Sequence, residues 1–191
     1  MNRPKTRSRQ LVARNGYVGD PQLSGRGGVQ QVAVPNAARE LSTLARIDYE
    51  DAFLVDVGAP PTRAAEQWAR AILDDAPTSV RLRLWSAWMM LGLRLASPGS
   101  RRHVLGWEIR KATPDYVLLG SRSRIGMPAE LLVKRHGKTL LFDTFVQKSN
   151  PIAAAAWAAI ERTHERTVPA LLGQFRRRAL LANGGRRSRE S

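Results

Sequence analysis

Residues 104–111, 115–123, 128–136 and 139–147 form four strand-like runs, and the connectors between them are only a few residues long. No other feature narrows the fold as much. Parallel neighbours need a crossover of about a dozen residues or more, so connectors this short predict antiparallel pairing in a meander. Their composition agrees: Thr113-Pro114, Gly126 and His136-Gly137-Lys138 are turn formers. Asn150-Pro151 then sets a cap and a proline at the first helical position. From there a long helix is predicted through Trp157 and Ile160 towards Arg178, with a kink at Pro169.

Upstream of the meander, Ile47, Tyr49, Phe53, Val55 and Val57 alternate with Asp48, Glu50, Leu54 and Asp56, the period of a strand. Gly58-Ala59-Pro60-Pro61 ends it, and Thr62 is placed to cap a helix running to Asp75. The apolar stripe of that helix is Ala65, Trp68, Ala69, Ile72 and Leu73. Pro77-Thr78-Ser79 opens a second helix over residues 80–96, apolar on most sides and therefore expected to be buried or to line something apolar. Residues 35–45 read as a short helix or turn, with Asn36 as cap and Leu41 and Leu44 docking it. The sum is an α+β chain: one antiparallel sheet with its helices gathered on one face.

At 191 residues the chain fits one domain with tails. The net charge of +15 suggests nucleic acid, so its distribution matters. Residues 1–31 hold six basic residues against Asp20, and residues 174–191 hold six arginines against Glu190. Two thirds of the excess therefore sits at the ends. Both ends lack apolar periodicity, and residues 1–31 and 183–191 are read as disordered basic tails around a domain at 32–182. Cysteine is absent, which removes disulfides, thiolate metal sites and thiol nucleophiles together. The first ten residues have no apolar core of a signal peptide, and no run reaches the roughly 18–20 apolar residues of a membrane span, so a cytoplasmic location is expected.

The order of elements resembles the START-like, polyketide-cyclase-like (SRPBCC) helix-grip superfamily. Asp48-Tyr49-Glu50-Asp51-Ala52-Phe53 is similar to the opening strand of an uncharacterised bacterial branch of it. So is Leu141-Phe142-Asp143-Thr144-Phe145-Val146, followed by Asn150, Trp157, Ile160, His164 and Val168-Pro169. The resemblance spans residues 33–180 and implies a curved sheet, two short helices after the first strand, and a C-terminal helix closing a cavity. Members of the branch are sometimes fused to NAD-binding reductase domains, which implies a reductase partner. No cofactor domain is expected in this chain. One departure stands out: Ser149-Asn150-Pro151-Ile152 occupies the place where a Gly-Arg pair is expected near the helix start.

Several motifs reduce to structure. His136-Gly137-Lys138-Thr139 has the letters of a phosphate loop, but Leu132 stands where its first glycine belongs, and a strand follows instead of a helix. It reads as a hairpin turn. Gly25-Arg26-Gly27-Gly28 lacks the spacing of a dinucleotide loop and reads as linker. Glu161 and His164 make half of a carboxylate-bridged metal motif without its second half, so no metal is expected. His103 and His136 read as solvated, whereas His164 lies on a helix stripe that faces the sheet or its edge. Arg176-Arg177-Arg178 and the remaining tail arginines read as solvated charge, with weak contact to anionic surfaces and no specific nucleic acid.

Five tryptophans are many for this length, and aromatic side chains line small-molecule pockets. The leading expectation is a small apolar ligand or lipid held between sheet and terminal helix. Trp107 is the first candidate to touch it, then Trp88, Tyr116, Thr144 and His164. Strand parity favours Thr144 facing inward with Phe142 and Val146, leaving Asp143 outside. Two rivals remain. One is a cyclase- or isomerase-like enzyme using the same cavity with His164 or Asp143 as general base; the other is nucleic-acid or membrane-surface binding through the tails.

Overall fold

In a computed structural model, described here for residues 28–58, 63–97 and 99–187 with side chains to residue 181, the chain is α+β. Among the described residues seven strands form one sheet, with every neighbouring pair antiparallel. In chain order they are β1 (Val29–Val32), β2 (Tyr49–Asp56), β3 (His103–Val104), β4 (Trp107–Ala112), β5 (Tyr116–Ser121), β6 (Ala129–His136) and β7 (Thr139–Val146). The spatial order is β1-β2-β7-β6-β5-β4-β3, so the meander folds back to pair its last strand with β2. The helices are α1 (Asn36–Arg39), α2 (Ala65–Leu73), α3 (Thr78–Met90) and α4 (Pro151–Arg187). No helix among the described residues is long and apolar enough to cross a membrane.

The expected meander is present, and His136-Gly137-Lys138-Thr139 is the tight turn joining β6 to β7, with Gly137 at positive φ. The expected strand over 104–111 is instead two strands. Leu105 (φ 45°) and Gly106 (φ 87°) form a two-residue turn between β3 and β4, the pair of positive φ values that a tight hairpin requires. Asp74 holds this turn by accepting the Leu105 N–H at 2.7 Å. A leucine in that conformation gives no signal in the sequence, which is why the run looks continuous.

Three further boundaries differ from the sequence reading. Residues 29–31, assigned to the basic tail, join Val32 in edge strand β1, which pairs with Val55 to Ala52. The second helix ends at Met90 rather than 96, because Gly92 (φ 73°) closes it with a Schellman motif: Gly92 N–H donates to Met89 O and Leu93 N–H to Trp88 O. The last helix continues through Pro169 to Arg187, past the limit of 182, while residues 188–191 lie outside the described residues. The same holds for most of the N-terminal tail and for Thr62; Ala64, not Thr62, occupies the cap position of α2. Asn36 does not cap α1, since Pro35 holds that position. Asn150 does cap α4, accepting the Ala153 N–H at 2.8 Å while its amide donates to Ile125 O.

Helices α2, α3 and α4 lie on one face of the sheet, here called inner. The buried face of α2 is the stripe Ala65, Trp68, Ala69, Ile72 and Leu73; α4 buries Ala153, Trp157, Val168, Leu171, Leu172 and Phe175. They pack on Phe53, Val55, Val117, Leu119, Leu131, Val133, Leu140 and Phe142, each worth about 1.5–3 kcal/mol when a large side chain is fully withdrawn from water. The outer face is covered as well. Val34, Ala38, Leu41, Leu44 and Ile47 lie over Ala52, Leu54, Leu118, Leu132, Leu141 and Phe145 as a second, smaller core. A buried carboxylate pins this cover: Glu130 accepts from Ser42 Oγ at 2.6 Å, from the Thr43 N–H and hydroxyl, and from Arg110.

Two of the tail arginines are structural. Arg176 pairs with Asp56 at 3.5 Å and donates to its backbone carbonyl, while Arg178 donates to the carbonyls of Ala71 and Asp75. They fasten α4 to β2 and α2 rather than standing in solvent.

Candidate functional site: an apolar cavity between α3, α4 and the sheet

A cavity of about 400 Å³ lies between α3, α4 and the inner sheet face. Its floor is Leu131 and Phe142; α3 and the residue after it supply Leu84, Trp88, Met90 and Leu91, and α4 supplies Ala156, Ile160, His164 and Thr167 among others. The volume is within the roughly 300–1,000 Å³ typical of small-molecule pockets. Apart from His164, Thr163 and Thr167 its walls are apolar. It exists because α3 is held loosely: of its thirteen residues only Leu84 is buried, and Met90 is 88% exposed. Of the two expectations for a helix apolar on most sides, burial or lining something apolar, the second is met: it walls this hollow.

His164 is the polar corner. Its position follows from helix spacing, since Ala153, Trp157, Ile160, His164 and Val168 recur every three or four residues on one face of α4. Its Nε2 is 3.0 Å from Asp51 Oδ2, and Tyr49 donates its hydroxyl to the same oxygen at 3.0 Å. Tyr49 and Asp51 are two apart on β2 and so share the inner face. Burial, then the Asp51 charge, pushes the Tyr49 phenol well above its ordinary range, so it remains a donor. Trp157 stacks obliquely beside both rings, its centroid 4.5 Å from Tyr49 and 5.2 Å from His164. With a neutral imidazole, Nε2–H donates to the carboxylate and leaves Nδ1 as an acceptor.

Behind this corner, Asp51 Oδ1 and Thr144 Oγ1 are buried without a hydrogen-bond partner. They stand opposite one another across β2 and β7.

No protein-family model matches this chain, and no curated protein matches it.

The residues singled out from sequence are divided by this geometry. Trp88 and His164 line the cavity. Trp107 sits beneath Trp88, edge to face at a centroid distance of 5.3 Å, and so supports the wall. Thr144 faces inward as parity suggested, behind His164 and not on the lining. Tyr116 does not belong: even positions of β5 face outward, and its ring packs in the second core under the Lys111 ammonium. Asp143 is also on the outer face, but the cover formed by residues 34–47 leaves it fully buried, with neither carboxylate oxygen partnered. Burial, and next the nearby Asp51 charge, raise its pKa to about 8. The sheet separates it from the cavity, so it is no base for anything bound there.

Sequence reasoning missed Asp51 and Tyr49 as a pair. The signal was available: a carboxylate at an inward parity position, between Tyr49 and Phe53, needs a partner.

Proposed function

We propose that this protein binds a small apolar molecule between α3, α4 and the sheet, with one polar group of the guest at His164. The observation that carries this is the 400 Å³ hollow with nearly all its walls apolar and a single carboxylate-anchored imidazole at one side. Each guest CH₂ withdrawn from water contributes about 0.8 kcal/mol, while the imidazole fixes orientation. A START-like helix-grip domain is the architecture this reading implies. The sequence strand–helix–helix–meander–long helix supports it, and the edge strand β1 with its outer cover is an addition.

The test is direct binding. Phenylnaphthylamine, an uncharged apolar dye, should bind at one saturable site and draw energy from the tryptophan emission. Ala156→Phe, which projects a ring into the hollow, should abolish that signal without lowering the unfolding temperature. Native mass spectrometry of gently purified protein should reveal a co-purifying guest. Failure of the dye to saturate, or equal binding by the filled variant, would refute the proposal.

A proton-transfer enzyme using the same hollow is the second reading, favoured by the Asp51–His164 hydrogen bond, which leaves Nδ1 as a general base. Incubating any co-purified guest with wild type and with His164→Gln decides it: conversion that survives the substitution removes His164 from the chemistry.

A further inference from the structure

A second cavity, of about 520 Å³, lies on the other side of the α3 end from the apolar hollow, against the sheet edge. Its character is opposite. Arg94, Arg122 and Arg124 line it, with His103, against Glu108 as the sole acidic side chain of the lining.

The backbone explains why the three arginines converge. Leu93 and Ser123 form an isolated antiparallel bridge, with Arg94 N–H donating to Arg122 O and Arg124 N–H to Gly92 O, both at 2.8 Å. Side chains alternate across such a ladder, so Leu93 enters the core while Arg94, Arg122 and Arg124 all leave on the other face. Arg94 stands directly opposite Arg122. Ser121, itself buried, locks the segment by donating to Arg94 O, and Ala96 N–H is fixed to Gly106 O. The three arginines are exposed at the cavity, and none of their guanidiniums has a hydrogen bond or ion pair to a side chain among the described residues.

Like charges placed directly opposite on a ladder repel. A fixed backbone that gathers three unpaired guanidiniums around a concavity, two charges in excess of its one acid, matches a dianion. Planar guanidiniums suit the paired oxygens of a phosphate in particular. We infer that this cavity binds a phosphate monoester, with Arg94 and Arg122 gripping its oxygens and Arg124 completing the charge. Both a soluble phosphate monoester and the headgroup of phosphatidic acid carry that chemistry. The site is independent of the apolar guest and stands or falls separately from it.

Calorimetric titration of the full chain at low salt, with glycerol phosphate as probe, tests it. One saturable site is expected, weakening steeply as salt is added. Arg94→Gln with Arg122→Gln should reduce affinity about tenfold or more, as expected for losing charge-assisted hydrogen bonds. The unfolding temperature of that variant should be unchanged or raised, since a repulsion is relieved. Arg162→Gln with Arg166→Gln, two exposed arginines of α4, should leave affinity unchanged. Sedimentation with phosphatidic-acid vesicles separates the sources: dependence on Arg94 and Arg122 in vesicles but no soluble binding assigns the site to a lipid headgroup. The inference is overturned if neither probe binds saturably, or if the α4 pair weakens binding as much as the cavity pair.

Discussion

Exchanging Asp143 for asparagine preserves the size of the side chain and removes its titration. In the unfolded chain this carboxyl ionises at its ordinary 3.8; folded, it keeps its proton up to about 8, because burial and then the Asp51 charge disfavour the anion. Between those values the native state holds a proton that the unfolded state has released. Stability from this group is therefore complete below pH 4 and declines as pH rises towards 8. At about 1.36 kcal/mol per pH unit the loss reaches roughly 4 kcal/mol by pH 7, a large share of the roughly 5–15 kcal/mol that hold a domain together. Asp143→Asn is thus expected to match wild type within about 1 kcal/mol near pH 4. It should exceed wild type by a margin that grows with pH and levels off near 8. Guanidinium unfolding followed by tryptophan emission at several pH values measures this. An equal difference between the two proteins at every pH would refute the reasoning, as would a variant that is weaker throughout.

Two other substitutions probe features that position the sites. Arg110→Ala deprives the buried Glu130 of its cation, and although Ser42 and Thr43 still donate, about 2–3 kcal/mol of stability should be lost in urea unfolding. Gly106→Ala forces a Cβ to 2.8 Å from Ala96 O at a φ of +87°, so a loss of at least about 1–2 kcal/mol is expected by the same assay.

Much of the sheet was legible because its period-2 alternation and short connectors admit few solutions. The stripe of α2 and the Asn150 cap were legible for the same reason: helix geometry fixes which residues share a face. What stayed hidden depended on contacts distant in sequence. Strand parity put Asp143 outside correctly, yet nothing local says that residues 34–47 cover that face. A weaker signal existed in Leu140-Leu141-Phe142 and Phe145-Val146, apolar at both parities, as in strands buried on two sides. Tyr116 was misassigned because its strand also mixes both parities. The Leu105-Gly106 turn and the Gly92 helix stop each rest on positive φ, to which glycine alone gives a hint. The convergence of Arg94 with Arg122 and Arg124 needed the bridge at Leu93, which no pattern announces.

The light anchoring of α3, with Leu84 its one buried residue and Val80 and Trp88 only partly covered, has a kinetic side. A helix with so little buried surface should open at a small free energy, and its amides are expected to exchange with solvent sooner than those of β6 or β7, which hydrogen exchange would measure. A molecule seated against Trp88 and Leu91 would supply the missing contacts. Under the binding reading, a guest once seated there would become the fastening that holds this helix against the sheet.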